Sequence, residues 1–260
     1  MRIFVDAICK YCASHSIACE VKSEGWLIVM QRGQQRRFAF GYDIGLNSAM
    51  AHRIANDKSA TADVLELSGV TCIPHTMFLS PKLRKHVAGD DSSEAMRALL
   101  RDHASGLVIK PNEGTSGRFV FKVASEEELA HAAEAIFSSH LSLAISPLVE
   151  IADEVRVILL DELPLVVYSK QRVSDWRHNL DFGARPVLLE SGEAREACIN
   201  IAINAAQAIG IRFASIDIVR VEGSWKVLEI NSGVMMEALG RLHPELVYAA
   251  YSKALDKVFE

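Results

Sequence analysis

A lysine beside a glycine-containing loop is the first feature of this chain with chemical potential. The segment Val108–Phe121, VIKPNEGTSGRFVF, places Lys110 at the end of an apolar run and then continues into small and polar residues. Gly114 and Gly117 permit positive φ and allow backbone N–H groups to approach a ligand closely. The apolar residues at both ends predict two strands. The segment therefore indicates either a phosphate-binding loop or an ordinary hairpin turn, and the local pattern leaves both open.

Two carboxylates and an amide occur near the end of the chain, inside apolar runs that predict strands. Asp217 lies in ASIDIVRV, and Glu229 and Asn231 in VLEIN are two residues apart, so they share one face of their strand. An antiparallel hairpin through the turn Val221–Ser224 would bring Asp217 close to Glu229. Three hard oxygen ligands suit Mg²⁺. The alternative is a surface hairpin with solvated acids, but the apolar surroundings weigh against it because burying an unpaired carboxylate is costly.

The lysine, the glycine loop and the oxygen cluster together predict a Mg-ATP site. Loop N–H groups and Lys110 would neutralise phosphate oxygens on one side, and metal ions would bridge them on the other. The sequence contains neither a GxxxxGK[ST] phosphate loop nor the HRD and DFG motifs of protein kinases. The predicted nucleotide site is therefore of a different type from these two.

A second cluster of potential ligands lies near the N-terminus, at Cys9, Cys12, His15 and Cys19. The spacing Cys9-x-x-Cys12 occurs in zinc knuckles, so a structural metal site is one interpretation. The same cysteines recur at helical spacing, and a free cysteine commonly packs as a small apolar residue. We favour the packing interpretation because no clear turn separates the ligand pairs.

Composition narrows the functional class. The 260 residues are 50% hydrophobic and 23% charged, with a net charge of −5 and a pI near 6.0. This balance is typical of a globular protein and argues against a nucleic-acid partner. No apolar run reaches the roughly 20 residues that span a bilayer, and the N-terminus lacks the features of an export signal. We therefore expect a cytoplasmic protein without a membrane partner, with its five cysteines as free thiols.

Periodicity predicts alternating helices and strands, the pattern of an α/β chain built from small α+β lobes. Helices are predicted at Ile3–Ser16, Asn47–Ala55, Asp57–Ser68, Ser92–His103, Ser125–Ser139, Gly192–Ile209 and Pro244–Phe259. Strands are predicted at Ala18–Lys22, Trp26–Gln31, Arg36–Phe40, Leu107–Ile109, Phe119–Phe121, Ser142–Ser146, Val155–Leu160, Leu165–Lys170, Phe213–Val221 and Ser224–Ile230, with an extended segment at Thr71–Leu79.

From Asp57 onward the sequence resembles the ATP-grasp carboxylate–amine ligases, most closely their RimK-like branch. Asp57-Lys58, followed by GVTCIP, is similar to the family segment DK…L…GIPVP, and EGTSG at residues 113–117 matches the glycine-rich loop. Glu154-Val155-Arg156 resembles the D-x-R strand, and RHNL at residues 177–180 resembles R-S-N-L. The resemblance implies two α+β subdomains that clamp ATP, at residues 57–146 and 147–260, after a shortened N-terminal lobe at residues 1–56.

The resemblance also assigns roles to residues. It implies that ATP is bound by Lys58, Lys110, Glu113, Gly114, Thr115, Ser116, Gly117, Leu148, Val149 and Glu150. It implies catalytic roles for Arg156, Arg177 and Asn179, which would hold the transferred phosphoryl group and the acylphosphate. It implies that Asp217, Glu229 and Asn231 bind two Mg²⁺ ions, for which Mn²⁺ can substitute.

Three departures from the family pattern affect these roles. The adenine hinge, usually QEYI or similar, reads Ser146-Pro147-Leu148-Val149 here, and the proline removes one backbone donor. Either Glu150 or Asp153 would bind the ribose hydroxyls. After Asn231 the family often has ASPG, whereas this chain has SGVMME. The short N-terminal lobe leaves the carboxylate substrate undefined.

The function that the resemblance implies is ATP-dependent amide-bond formation between an acid and an amine, both amino acids or short peptides. The acid would become an acylphosphate, with release of ADP and phosphate, and the resemblance implies a homodimer or tetramer. Two alternatives stay open. One is a phosphotransferase of the same fold, and the other is a nucleotide-binding module without catalytic activity.

Overall fold

The computed structural model describes residues 2–87, 92–114, 117–171 and 184–260. Its helices are α1 (Ile3–Ser14), α2 (Ala49–Asn56), α3 (Lys58–Leu67), α4 (Pro81–Arg84), α5 (Ser92–Asp102), α6 (Glu126–Phe137), α7 (Glu193–Ile209), α8 (Glu237–Gly240) and α9 (Pro244–Phe259). Its strands are β1 (Ala18–Lys22), β2 (Leu27–Arg32), β3 (Gln35–Phe40), β4 (Thr76–Leu79), β5 (Leu107–Pro111), β6 (Phe121–Val123), β7 (Ser142–Pro147), β8 (Asp153–Leu160), β9 (Leu163–Gln171), β10 (Arg185–Leu188), β11 (Phe213–Val221) and β12 (Ser224–Asn231).

The strands form three antiparallel sheets. An N-terminal sheet has the order β1-β2-β3, a four-stranded sheet has the order β4-β7-β5-β6, and a five-stranded sheet has the order β10-β9-β8-β11-β12. None of the helices in the described ranges combines the length and apolar composition that a membrane-spanning helix requires.

Separate hydrophobic cores support the sheets. Helices α5 and α6 cover the four-stranded sheet around Ile109 and Ile145. Helix α7 covers one face of the five-stranded sheet, where Val157 and Ile216 are buried. On the opposite face, apolar residues such as Phe213 share a core with α1, α9 and the N-terminal sheet. The N-terminal lobe is therefore packed directly against the five-stranded sheet.

Local signals account for several element boundaries. Helix α3 begins after Asp57, whose side chain accepts from the backbone N–H of Ala60 at 2.8 Å. Helix α6 has the predicted capping box, in which Ser125 and Glu128 each accept from the other's backbone N–H. The predicted bounds of β1, β11 and α9 are confirmed.

Other predicted boundaries were wrong by a few residues. The strand expected at Phe119–Phe121 is observed at Phe121–Val123, because Phe119 adopts a φ of 55° in the preceding turn. The short elements α4, α8 and β10 were not predicted, since four residues carry too little periodicity.

The N-terminal cysteines lie mainly within the packed lobe. Cys12 is fully buried in α1, and the Sγ atoms of Cys9 and Cys19 are 3.8 Å apart. Burial raises the pKa of the Cys12 thiol.

Candidate functional site

A cavity of about 1190 Å³ lies where the three sheets meet. Its lining includes Lys58, Lys110, Gly114, Gly117, Leu148, Val149, Glu150, Arg156, Glu229 and Asn231. The fold therefore gathers most of the described residues that the sequence assigned to a nucleotide site.

The two predicted phosphate lysines lie at one hydrogen-bonded junction between β5 and α3. Asn112, just beyond Lys110, accepts from the N–H of Ser59 through Oδ1 at 3.1 Å and donates to Asp57 through Nδ2 at 2.7 Å. The N–H of Lys58 donates to the Asn112 carbonyl at 3.2 Å. Because Asn112 is fully buried, this junction fixes both lysines relative to each other.

Burial lowers the pKa of Lys110 to about 8. The nearby cation of Lys58 contributes to this lowering, while the carboxylates of Glu229 and Glu154 oppose it. An anionic ligand in the cavity would favour the charged form of Lys110. Lys58 is more accessible, and its Nζ donates to the carbonyl of Gly114 at 2.8 Å, at the start of the glycine loop.

A row of polar side chains crosses the five-stranded sheet. Tyr168 on β9 is paired with Arg156 on β8, Arg156 with Asp217 on β11, and Asp217 with Glu229 on β12. Directly paired residues in antiparallel strands point to the same face, so these four side chains share it. The predicted proximity of Asp217 and Glu229 is confirmed. The register of the pairing between β11 and β12 shifts between Asp217 and Ile218.

Asp217 lies at the centre of a buried ion-pair network. Arg156 donates to its carboxylate through Nε and Nη2, both at 2.6 Å, and Lys170 lies 2.9 Å from the same group. Lys170 also donates to Glu154 at 2.5 Å. Burial alone would raise the pKa of Asp217, but Arg156 and Lys170 outweigh it and lower that pKa. Their own pKa values are raised in turn, against the effect of burial.

Glu229 and Asn231 form weaker contacts with other protein groups than Asp217 does. Asn231 Nδ2 donates to Glu229 Oε1 at 3.4 Å, and both residues line the cavity. Within the described part of the chain, no cation lies within ion-pairing distance of Glu229. Their oxygen atoms, rather than those of Asp217, are therefore the ones more available to a cation.

The hinge residues Ser146–Val149 span the end of β7 and line the cavity. Pro147 is paired with Leu107, and the N–H of Leu148 donates to the Gly106 carbonyl at 3.0 Å. Gly106 has a φ of 92°, and a Cβ there would lie 2.5 Å from the carbonyl oxygen of Val123. The chain therefore requires glycine at this point, and the Leu148 N–H is already used within the protein.

Some predicted site residues cannot be placed. Thr115 and Ser116 of the glycine loop lie outside the described residues, as do Arg177 and Asn179. Glu113 is among the described residues and forms an isolated β-bridge with Asp57. Gly117 is also described, and its backbone has a φ of 66°.

Several residues beside the predicted ligands were not evident from the sequence. Tyr168 and Lys170 are two residues apart on β9, so they share one face of that strand, and Ser215 lies two residues before Asp217. Within the described structure, the buried hydroxyls of Tyr168 and Ser215 have no hydrogen-bond partner. A lysine and a tyrosine at alternate positions of an apolar strand are the signal that could have revealed them.

Comparison with known proteins supports a common origin for this arrangement. Residues 79–243 match the family model described as the RimK-like ATP-grasp domain. A protein named probable alpha-L-glutamate ligase from Legionella pneumophila (strain Corby) is 25% identical over 197 residues, which cover 75% of this chain and 61% of the relative. A protein of the same name from Pasteurella multocida (strain Pm70) is 26% identical over 199 residues, covering 75% of this chain and 58% of the relative. The chain thus spans about three fifths of the length of these curated relatives.

Solved structures show the same fold. The D-alanine–D-alanine ligase from Bacillus anthracis complexed with ATP has a TM-score of 0.62 and 21% identity, covering 82% of this chain and 67% of the ligase. A bifunctional glutathione synthetase from Pasteurella multocida has a TM-score of 0.58 and 15% identity, and the match covers 97% of this chain and 44% of the synthetase. This second match extends over nearly the whole chain.

Proposed function

The chain belongs to the family of RimK-like ATP-grasp domains, and from this premise we propose that it is an ATP-dependent ligase that joins a carboxylate to an amine. The observation that carries the proposal is that Arg156 and Glu229, from the polar row of the five-stranded sheet, line one cavity together with Lys110. A site of this kind brings cations and oxygen ligands to opposite sides of a polyphosphate.

In this proposal, the two lysines and the glycine loop bind the phosphates of the nucleotide. Lys58 and Lys110 would contact phosphate oxygens, and N–H groups of residues 113–117 would contact the terminal phosphate. Leu148, Val149 and Glu150 would hold the adenosine, with Glu150 or Asp153 at the ribose. Because the Leu148 N–H already donates to Gly106, the adenine edge must rely on other hinge groups.

The donor set fits a hard divalent cation. Glu229 and Asn231 offer carboxylate and amide oxygens on one face of β12, and Asp217 lies beside them. Mg²⁺ prefers such ligands, and we propose that two ions bind here, for which Mn²⁺ can substitute. When bound, they would neutralise phosphate charge and polarise the transferred phosphoryl group.

The reaction that we propose has two steps. An oxygen of the substrate carboxylate attacks the γ-phosphorus of ATP, the bond to the β-phosphate oxygen breaks, and ADP leaves. The resulting acylphosphate is attacked by a neutral amine, which loses a proton, so that an amide and inorganic phosphate are released. Arg156 donates to Asp217 through Nε and Nη2, which leaves Nη1 for an oxygen of the phosphoryl group. Arg177 and Asn179 are proposed to act at the same phosphoryl group.

The substrates that we propose are amino acids or short peptides, with no nucleic acid. A screen of amino-acid pairs should detect phosphate release that requires both an acid and an amine, with an amide product of the expected mass. Hydroxylamine added in place of the amine should trap a hydroxamate of the acid.

The outcomes of this experiment separate the alternatives. ATP-dependent phosphorylation of a hydroxyl without any amine requirement would identify a phosphotransferase. Stoichiometric AMP would identify an adenylating enzyme. Nucleotide binding without turnover on any pair would leave a binding module. Each of these results would contradict the proposal.

A further inference from the structure

The cavity extends beyond the polar row to the N-terminal lobe. Its volume of about 1190 Å³ exceeds the roughly 300–1,000 Å³ typical of a pocket for one small molecule. Trp26, Phe38, Phe40 and Tyr42 line this far end. A nucleotide held by Lys58, Lys110 and the hinge therefore leaves room for a second ligand beside these aromatic rings.

Phe38 and Phe40 lie on the face of the N-terminal sheet that does not enter the core. Phe38 and Phe40 on β3 are paired with Val29 and Leu27 of β2, whereas the opposite face buries Ile28 in the core. The exposed fractions are 53% for Phe38 and 66% for Phe40. Large apolar groups exposed together and facing a cavity mark a binding surface.

The protein itself holds part of this aromatic surface in place. The Arg2 guanidinium lies 4.7 Å from the ring centre of Trp26 and 4.9 Å from that of Tyr42. Arg2 also donates to the carbonyls of Gly25 and Gly41. Trp26 nevertheless remains 52% exposed. A ring fixed before a ligand arrives loses little conformational entropy on binding.

One cation at this end is available to a ligand carboxylate. Arg241 follows α8, is exposed and lines the cavity, and in the described structure it has no ion-pair partner. The carboxylate of Glu237 is already used, since it accepts from the N–H of Ile3 at 2.9 Å and from the hydroxyl of Tyr42 at 3.2 Å. Asp43 lies 3.5 Å from His52 and accepts from the N–H of Gly45.

We propose that the amine substrate of this ligase is an amino acid with an aromatic side chain, whose ring packs against Trp26, Phe38 and Phe40. This inference rests on the proposed function. The amino acid that supplies the amine keeps its own carboxylate through the reaction, and we assign the contact with Arg241 to that group. That group pairs with Arg241, and the amine then points toward the polar row. This surface consists of aromatic rings, whereas a surface that recognises the acidic side chain of glutamate would present cationic groups.

Two measurements test this assignment. The first is calorimetric binding of phenylalanine, tyrosine, leucine and glutamate to the protein saturated with Mg²⁺ and a non-hydrolysable ATP analogue. The aromatic amino acids should bind most tightly, and the double variant Phe38→Ala/Phe40→Ala should weaken their binding by at least about tenfold. Arg241→Gln should weaken binding of phenylalanine but leave that of phenylalanine amide unchanged. Leu67→Ala, at a residue that is 88% exposed and outside the cavity, is the control.

The second measurement is phosphate release with the same amines. The double variant should raise the KM for the aromatic amine and leave the KM for ATP and the kcat unchanged. Tighter binding of glutamate, or aromatic binding that the double variant does not alter, would overturn the inference while leaving a ligase. Absence of any amine-dependent phosphate release would instead overturn the proposed function, whatever the binding results.

Discussion

Arg156 and Asp217 face each other across β8 and β11, and the guanidinium donates two hydrogen bonds of 2.6 Å to the carboxylate. Asp217 is only 1% exposed, so this contact is shielded from solvent. A buried carboxylate with two cationic partners has a structural role in addition to any ligand role. Its neighbour Glu229, with no such partners in the described structure, is free of that constraint.

Replacing Asp217 should therefore destabilise the fold strongly. Asp217→Asn leaves Arg156 and Lys170 without their shared anion, and breaking a buried pair in this way costs about 3–5 kcal/mol. Asp161 accepts two similar hydrogen bonds from Arg212, at 2.7 and 2.8 Å, but the pair is exposed. Asp161→Asn should cost less than about 1 kcal/mol. Urea unfolding of the two variants provides the comparison, and equal costs would contradict the role of burial.

Removing the charge of Lys110 should abolish nucleotide binding and stabilise the free protein at neutral pH. The folded-state pKa of about 8 is below the ordinary 10.5, so the unfolded chain binds more protons between these values. The free energy of unfolding of the natural protein should therefore rise with pH across this window. The Lys110→Met variant should therefore exceed the natural protein in free energy of unfolding by the full amount below pH 8, and this difference should shrink toward pH 10.5.

Thermal unfolding between pH 7 and 10.5, without nucleotide, measures this effect. Lys253→Met, at an exposed position of α9, is the matched control and should show no such trend. A Lys110→Met variant that binds ATP with unchanged affinity would exclude Lys110 from the phosphate site.

Glu229→Gln should separate metal binding from stability. Because no cation pairs with Glu229 in the described structure, the variant should unfold within about 1 kcal/mol of the natural protein. The dependence of nucleotide affinity on Mg²⁺ should decrease, since a neutral amide is a weaker ligand than a carboxylate. Calorimetric titration of ATP with and without Mg²⁺ measures this change, with Glu222→Gln in the β11–β12 turn as the control. An unchanged Mg²⁺ dependence would remove Glu229 from the metal site.

Gly117→Val should reduce turnover through the glycine loop. Gly117 has a φ of 66°, a conformation that valine rarely adopts, so the loop would lose the geometry needed to approach the terminal phosphates. Gly69→Val imposes similar strain at a φ of 70°, at the end of α3 and outside the cavity. Both variants should lose stability, but only Gly117→Val should lower kcat at a temperature where both are folded. Equal kcat values would argue against a catalytic role for the loop.

Three features of the chain stay predictions. The division of the chain at residues 56 and 146 is one, and the roles of Thr115, Ser116, Arg177 and Asn179 are others. The homodimer or tetramer that the family resemblance implies also stays a prediction.

The sequence by itself determined the features that depend on nearby residues. The Asp57 cap, the capping box at Ser125 and the hairpin that pairs Asp217 with Glu229 all follow from short-range spacing. Lys110 at the edge of an apolar strand, followed by glycines, left a phosphate loop and a hairpin turn open, and only the added cluster of Asp217, Glu229 and Asn231 led to the prediction of a nucleotide site. The family pattern then connected these segments into one fold, which the comparisons confirm.

Only the tertiary structure decided which of the similar residues are paired and which face the cavity. Asp217 and Glu229 are both acids in apolar strands, but in the described structure β8 and β9 bring Arg156 and Lys170 to Asp217 and not to Glu229. Likewise, alternation in β3 predicts two faces for the N-terminal sheet, but packing against α1 and α9 decides that Phe38 and Phe40 remain exposed at the cavity. Both outcomes depend on contacts between segments distant in sequence, where the register of whole sheets, and not local preference, determines what each side chain meets.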